Sequence, residues 1–131
     1  MARILVVEDE SDILDNIAET LELENFDIIK ANNGREGVDK ALEAHPDLVV
    51  CDISMPLLDG FGVLLELRNH PETALTPFIF LTAHAGRDNT RKGMNMGADD
   101  YLTKPFTPME LINAVNARLE RHIKVVEDRE T

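Results

Sequence analysis

Five short apolar runs, rich in β-branched residues, alternate along this chain with segments of helical periodicity. The runs cover residues 4–7, 27–31, 48–51, 78–81 and 100–103. Runs of this length that alternate with helices predict β/α units, in which right-handed crossovers make the strands parallel. The length of 131 residues suits one such domain. We therefore expect an α/β fold with a five-stranded parallel sheet in a three-layer α/β/α sandwich.

Apolar residues at helical spacing predict five helices, of which the first and the last have the clearest ends. Ser11 or Asp12 is predicted to cap the first helix, and Asn25 to end it in a left-handed conformation. Thr107 and Glu110 have the spacing of a capping box, in which each side chain accepts a hydrogen bond from the backbone of the other residue. This box predicts where the last helix begins.

The apolar spacing of the last helix continues past the point where a compact domain should end. We expect the domain to cover residues 1–122 and residues 123–131 to form a C-terminal helical extension or linker. Ile112, Val115 and Leu119 could face the sheet or form a helical dimer seam. We favour a place in the core for these three residues.

The charge balance restricts the partners of this chain. It has 25 acidic and 13 basic residues and a net charge of −12, which would repel nucleic acid and anionic lipid. Cys51 is the only cysteine, so no internal disulfide can form and a buried thiol in a reducing compartment is expected. The first apolar run is only four residues long and acidic residues follow it directly, so it is neither a signal peptide nor a membrane span. We expect a cytoplasmic protein that binds neither nucleic acid nor membrane directly.

Charged residues follow three of the five runs directly. Glu8 and Asp9 follow the first run, Asp52 the third and Lys104 the fifth. The carboxyl ends of parallel strands meet in a crevice at one edge of the sheet, so we expect these side chains to lie together. Carboxylate oxygens are suited to Mg²⁺. Alternatively, Glu8 and Asp9 could form a solvated acidic turn whose charge favours the N-terminus of the first helix.

The position of Asp52, between an apolar run and a turn, is suited to chemistry at phosphorus. A carboxylate there can act as a nucleophile toward a phosphoryl group. That group would add about −1.5 to −2 charges to an acidic site, and Lys104 could offset them. Thr82, at the end of the fourth run, could donate its hydroxyl to a phosphoryl oxygen. The alternatives are that Lys104 is an ordinary surface lysine and that Thr82 is a common strand-end residue.

Taken together, these residues resemble the receiver domain of bacterial two-component response regulators, over residues 3–122. The residues that share the family's order and spacing are Glu8-Asp9, Asp52, Met55-Pro56, Gly60, Thr82-Ala83 and Lys104-Pro105-Phe106. The resemblance implies a flavodoxin-like sheet with strand order 2-1-3-4-5, which composition alone would not predict.

The resemblance also implies the function. Asp52 would accept a phosphoryl group from a phosphohistidine on a sensor histidine kinase or a phosphotransfer protein. Asp9, Asp52 and the backbone carbonyl of Ser54 would bind Mg²⁺ or Mn²⁺, and Glu8 would assist through water. Lys104 would then pair with the phosphoryl group.

Further implied roles concern switching and the lifetime of the phosphorylated form. Thr82 would rotate toward the phosphoryl group and Tyr101 would move inward, which would remodel the face of the fourth helix, fifth strand and fifth helix. As an alternative, Tyr101 could be a strand residue with its hydroxyl in water. Ser54 and His84 would flank the path of attacking water. His84 could orient that water, hinder it or lie in solvent.

The output of such a switch lies in another protein or in another domain. The chain is therefore either a stand-alone regulator or the receiver of a longer protein, and a homodimer through the switching face is possible.

Three other classes of protein share parts of this pattern. A phosphatase of the haloacid dehalogenase type needs a second aspartate two residues after the nucleophile, where this chain has Ser54. A flavodoxin-like cofactor binder needs phosphate-binding donors after the first strand, where Glu8 and Asp9 would repel phosphate. A receiver-like module that works without phosphate usually lacks the acceptor or the lysine. We therefore expect a signalling switch that catalyses only its own aspartyl phosphorylation and dephosphorylation, and no turnover enzyme.

Overall fold

The computed structural model describes the backbone of residues 1–83 and 87–130, and the side chains of residues 1–83 and 91–121. The strands are β1 (Arg3–Val7), β2 (Asp27–Ala31), β3 (Leu48–Asp52), β4 (Phe78–Thr82) and β5 (Asp100–Thr103). The helices are α1 (Ser11–Glu22), α2 (Gly34–Ala44), α3 (Gly60–Arg68), α4 (Arg87–Asn95) and α5 (Pro108–Glu130). The five predicted runs are the five strands, each correct to within one residue at either end.

The strands form one parallel sheet in the order β2-β1-β3-β4-β5. The register places Val7 of β1 beside both Ala31 and Cys51. The chain adds β2 on one side of β1 and then β3 on the other, so the strand order reverses between β1 and β3. A ligand crevice in such a sheet lies at the carboxyl ends of the strands, next to that reversal. The predicted fold class and strand order are confirmed.

Alternate strand residues build one apolar core on each face of the sheet. Leu5 and Val7 point to the face covered by α2 and α3, whereas Ile4 and Val6 point to the face covered by α1 and α5. Because both faces are covered, β3 and β4 are buried along their whole length. The three predicted layers are therefore present.

Helix ends follow local sequence signals with one exception. Thr107 and Glu110 form the predicted capping box, with reciprocal backbone-to-side-chain hydrogen bonds of 3.0 and 3.1 Å. Asn25 has the predicted left-handed backbone, with φ of 67°. The predicted cap of α1 is wrong, because Ser11 is already helical and Glu10 occupies the N-cap position. The helix starts directly after the acidic turn, where the Leu14 N–H donates to the Glu10 carbonyl oxygen (2.9 Å).

The first half of α5 belongs to the core. Ile112, Val115 and Leu119 are buried against the sheet, as favoured from their spacing, and so is Leu111, which the spacing argument missed. The helix continues to Glu130. The proposed domain boundary at residue 122 stays a prediction. Across the described residues, each helix is too short or too polar to cross a lipid bilayer.

Candidate functional site

Three carboxylates meet at the carboxyl edge of the sheet. Glu8 and Asp9 follow β1, and Asp52 ends β3, the neighbouring strand. One oxygen from each of these side chains lies within 4.8 Å of the others. Glu8 and Asp52 are buried, whereas Asp9 is exposed. The site is therefore a partly enclosed group of hard oxygen ligands with one open side.

Lys104 brings a positive charge into this group. Its Nζ lies 2.6 Å from Glu8 Oε1 and 3.3 Å from Asp52 Oδ1. Its side chain is only 19% exposed, and its backbone N–H donates to the Thr82 carbonyl oxygen (2.7 Å). These contacts rule out the alternative of an ordinary surface lysine.

The electrostatics of the site reflect this crowding of charge. Burial raises the pKa of Glu8 to about 7, with the charge of Asp52 adding to the rise and the hydrogen bond from Lys104 opposing it. Burial also raises the pKa of Asp52, against the opposing charge of Lys104. Burial lowers the pKa of Lys104, but its hydrogen bond with Glu8 and the charge of Asp52 outweigh this effect and leave the pKa raised. One ammonium therefore does not neutralise the group, and a further cation would be favoured.

The loop after Asp52 is held close to the strand ends. The Ile53 N–H donates to the Leu81 carbonyl oxygen (3.0 Å), and the Gly60 N–H donates to the Ile53 carbonyl oxygen (2.8 Å). Ser54, two residues after the acceptor, is exposed. These hydrogen bonds fix the backbone directly after Asp52, while Ser54 remains accessible to water.

The remaining predicted residues lie around this centre. Thr82 is buried at the end of β4 and pairs with Thr103 of β5 in the sheet register. Tyr101 lies on the edge strand β5 and is 36% exposed. Cys51 is buried one residue before the acceptor, as expected. His84 lies outside the described residues.

A cleft beside the site was not predicted from the sequence. It has a volume of about 440 Å³ and lies between α1 and the segment that follows β5. Ile13 and Ile17 of α1 form one wall, and Lys104 and Phe106 form part of the other. The one signal in the sequence was the apolar Phe106 directly after the Lys104-Pro105 turn. Because Lys104 lines both the cleft and the carboxylate group, a molecule in the cleft would lie next to Asp52.

The donor set fits a hard divalent cation such as Mg²⁺. Mg²⁺ binds one or two carboxylates together with water and phosphate oxygens. Asp9 and Asp52 provide such carboxylates, and the exposed position of Asp9 leaves space for water. The raised pKa values of Glu8 and Asp52 also indicate that added positive charge would be stabilising.

The chain belongs to the response regulator receiver domain family, whose sequence pattern it matches over residues 4–116. The transcriptional regulatory protein ResD of Bacillus subtilis is 43% identical over 119 residues, which are 91% of this chain and 48% of that protein. The chain thus spans about half the length of the curated relatives that it matches.

Solved structures agree with this family. A response regulator receiver domain protein of Clostridium thermocellum superposes with a TM-score of 0.89 at 35% identity, covering 95% of this chain and 99% of that one. The receiver domain of a sensor histidine kinase of Pseudomonas aeruginosa superposes with a TM-score of 0.84 at 28% identity, covering 91% and 98%. That structure holds a magnesium ion coordinated in its active site cleft.

Membership of this family excludes two of the three alternative classes of protein that share parts of the sequence pattern. The chain is a receiver domain of the two-component response regulator type. The phosphatase and flavodoxin-like alternatives are excluded by this match. The roles of the individual site residues remain predictions.

Proposed function

We propose that this chain is a phosphoryl-accepting signalling switch, with Asp52 as the acceptor and Mg²⁺ or Mn²⁺ as the cofactor. One observation carries the proposal: the buried Asp52 carboxylate lies 3.3 Å from the Lys104 ammonium and within 4.8 Å of two further carboxylates. A lone buried carboxylate would be a poor acceptor, because the arriving phosphoryl group carries about −1.5 to −2 charges in place of the single charge of the carboxylate. The lysine and a bound cation together offset that charge.

The transfer step is a displacement at phosphorus. A carboxylate oxygen of Asp52 attacks the phosphorus of a phosphohistidine, a P–O bond forms, and the P–N bond breaks with its electron pair going to the imidazole nitrogen. Lys104 and the hydroxyl of Thr82 stabilise the phosphoryl oxygens. Water later attacks the same phosphorus, the P–O bond to Asp52 breaks with its electron pair going to the carboxylate, and inorganic phosphate leaves. The chain acts only on its own phosphoryl group, so we propose no turnover of a separate substrate.

The metal would be held by Asp9, Asp52 and the backbone carbonyl of Ser54, with Glu8 assisting through water. When bound, the cation neutralises charge on the phosphoryl oxygens and holds them in place. Hydrogen bonds from the Ile53 N–H to Leu81 and from the Gly60 N–H to the Ile53 carbonyl fix the backbone directly after Asp52. The attacking carboxylate therefore has little freedom to turn away.

The cleft beside Lys104 is where we place the phosphodonor. The side chains of Ile13, Ile17 and Phe106 offer it an apolar contact area. A helix of a histidine kinase or phosphotransfer protein seated there would bring its phosphohistidine to the acceptor. We expect substitutions in this cleft to slow transfer from a protein donor and to leave transfer from a small donor unchanged.

Switching would pass from the acceptor to the face formed by α4, β5 and α5. Thr82 would turn toward the phosphoryl group, and Tyr101 would leave its half-exposed position for the interior. Ser54 and His84 would tune the lifetime of the phosphorylated form.

The switching face would then bind an output domain or protein, or a second copy of the chain. Curated relatives such as ResD are named as transcriptional regulatory proteins and are about twice as long as this chain. We propose that the receiver ends near residue 122, that the last residues lead toward such a partner, and that the protein works in the cytoplasm. A net charge of −12 argues against direct contact with nucleic acid by this domain.

Intact-mass analysis tests the function directly. The protein is incubated with Mg²⁺ and acetyl phosphate, beside Asp52→Asn and a sample with chelator. We expect one acid-stable, hydroxylamine-labile phosphoryl group on the parent with Mg²⁺, and none on the other two samples. An equal adduct on Asp52→Asn would show that another residue is the acceptor. No adduct on the parent in rapid-quench samples would overturn the proposal.

A further inference from the structure

The ammonium of Lys104 lies closer to Glu8 than to the acceptor. The distance from Nζ to Glu8 Oε1 is 2.6 Å, compared with 3.3 Å to Asp52 Oδ1. Glu8 is fully buried, and its other oxygen accepts a long bond of 3.5 Å from the Glu10 N–H. The strongest contact of the Glu8 carboxylate among the described residues is therefore with Lys104.

We propose that Glu8 is a positioning residue for Lys104, holding the ammonium beside Asp52 before the phosphoryl group arrives. This inference rests on the proposed function, and it goes beyond the assistance to the metal that the family resemblance implies. It assigns to Glu8 a direct contact with the Lys104 ammonium, which would later pair with the phosphoryl group.

The backbones at both ends of this contact are fixed. The Glu8 N–H donates to the Ala31 carbonyl oxygen (3.0 Å), and the Lys104 N–H donates to the Thr82 carbonyl oxygen (2.7 Å). The bond between the side chains therefore depends on their lengths. An aspartate at residue 8 would be shorter by one carbon–carbon bond, about 1.5 Å. It could not reach Lys104 Nζ where that atom now lies, 3.3 Å from Asp52, unless the backbone moved.

Positioning matters because a lysine side chain has four flexible carbon–carbon bonds. An unheld ammonium would lose conformational entropy when it docks on a phosphoryl group. A charge already fixed in place needs no reorganisation at the moment of transfer. Glu8 restrains Lys104 in this way, and Asp52 is near enough to share the same cation. The arriving phosphoryl group then recruits an ammonium that is already in the site.

The first test observes the Lys104 ammonium itself, in metal-free protein and without any phosphodonor. Nitrogen-15 NMR of the lysine ammonium groups is recorded, and the Lys104 signal is assigned by its loss in Lys104→Met. We expect a signal protected from solvent exchange in the parent and its loss in Glu8→Asp. Glu10→Asp is the matched control, since it shortens an exposed acid two residues away and should leave the signal intact.

Glu8→Gln is the second variant, and it keeps the length of the side chain while removing the charge. We expect weaker protection of the Lys104 ammonium than in the parent, because a neutral amide oxygen is a weaker partner than a carboxylate. Unchanged protection in both Glu8 variants would overturn the proposal. Because this test needs no phosphorylation, its outcome is independent of the proposed function.

The second test asks whether Glu8 acts through Lys104. Initial rates of adduct formation with acetyl phosphate are compared for Glu8→Asp, Lys104→Met and the double variant. We expect the loss in the double variant to be far smaller than the product of the two single losses, because the cation that Glu8 positions is already missing. Losses that multiply would show that Glu8 acts by another route, such as the metal, and would overturn the proposal. If the parent forms no adduct, the proposed function fails, while the NMR result still decides whether Glu8 holds Lys104.

Discussion

Gly60 lies directly against the backbone of Asp52. A Cβ atom at residue 60 would collide with the Asp52 carbonyl oxygen and come within 2.8 Å of the Ile53 Cα. These are backbone atoms in a hydrogen-bonded loop, so they cannot rotate aside as a side chain could. Because residue 60 has no side chain, the start of α3 can pack directly against the backbone of the acceptor.

Gly60→Ala should therefore lower the free energy of unfolding by about 1–3 kcal/mol and slow phosphorylation of Asp52. Urea denaturation and intact-mass kinetics measure the two effects. Gly62→Ala is the matched control, because its Cβ would meet mainly the flexible end of the Leu58 side chain. Alanine also favours a helix over glycine by about 1 kcal/mol. Equal losses in the two variants would contradict the role of the Gly60 contact.

Glu8 should make the metal-free protein less stable as the pH rises from about 4.5 to about 7. The pKa of Glu8 is about 7 in the folded protein, against an ordinary value of 4.5. Between these values the folded state binds the extra proton, so rising pH favours the unfolded state. Asp52, whose pKa is also raised, acts with the same sign. The charge and hydrogen bonds of Lys104 lower the pKa of both carboxyl groups and so reduce the size of the effect.

Glu8→Gln isolates this effect. The difference in unfolding free energy between the variant and the parent should grow in favour of the variant across this pH range, by up to about 3 kcal/mol. Urea denaturation in chelator at a series of pH values measures it. Parallel pH profiles for the two proteins would contradict the raised pKa. Added Mg²⁺ should restore stability to the parent at pH 7 and above.

Leu57 combines a left-handed backbone with an exposed apolar side chain. Its φ is 70°, and the side chain is fully exposed. The left-handed region costs a leucine about 1–2 kcal/mol, and asparagine enters it more readily. Leu57→Asn should therefore raise the free energy of unfolding by about 0.5–1 kcal/mol, measured in urea. Leu75→Asn is the control, since Leu75 is 64% exposed and its backbone lies outside that region. An equal gain in both variants would locate the effect in exposed leucine rather than in backbone strain.

Arg68 holds the end of α3 to two neighbouring loops. Its guanidinium donates to the carbonyl oxygens of Thr76 (2.7 Å), Gly97 (3.0 Å) and Thr73 (3.3 Å). Lysine cannot reach three diverging carbonyls from one nitrogen, so Arg68→Lys should lower the free energy of unfolding by about 1–3 kcal/mol. Arg35→Lys, at an exposed surface ion pair, should leave it nearly unchanged. Similar values for the two variants in urea denaturation would argue against the role of Arg68 as a connector.

Tyr101 offers an optical test of switching. It is the only tyrosine, and the chain has no tryptophan, so the intrinsic fluorescence reports this residue alone. Its side chain is partly exposed before phosphorylation. Acetyl phosphate with Mg²⁺ should reduce the quenching of this fluorescence by acrylamide, because the ring moves inward. Asp52→Asn should show no such change. Unaltered quenching in a fully phosphorylated parent would remove Tyr101 from the switch.

Features that depend on neighbouring residues in the sequence were predicted better than features that depend on the fold. The capping box of Thr107 and Glu110 and the left-handed Asn25 were predicted, because each depends on residue types within a few positions. The cap of α1 was mispredicted, since the turn after β1 allows Glu10 to precede the helix directly. The left-handed backbone at Leu57 had no signal in residue type.

The sequence by itself determined the five strands and the charged residues at their ends. Burial on both faces of a parallel strand produces a continuous apolar run, and the first polar residue after the run marks the carboxyl edge. The convergence of Glu8, Asp9, Asp52 and Lys104 follows from that edge. Only the tertiary structure decided which of these side chains touch. Glu8 and Lys104 are 96 positions apart and follow strands that are not neighbours in the sheet. Their contact depends on side-chain reach across the folded edge, which no local pattern encodes.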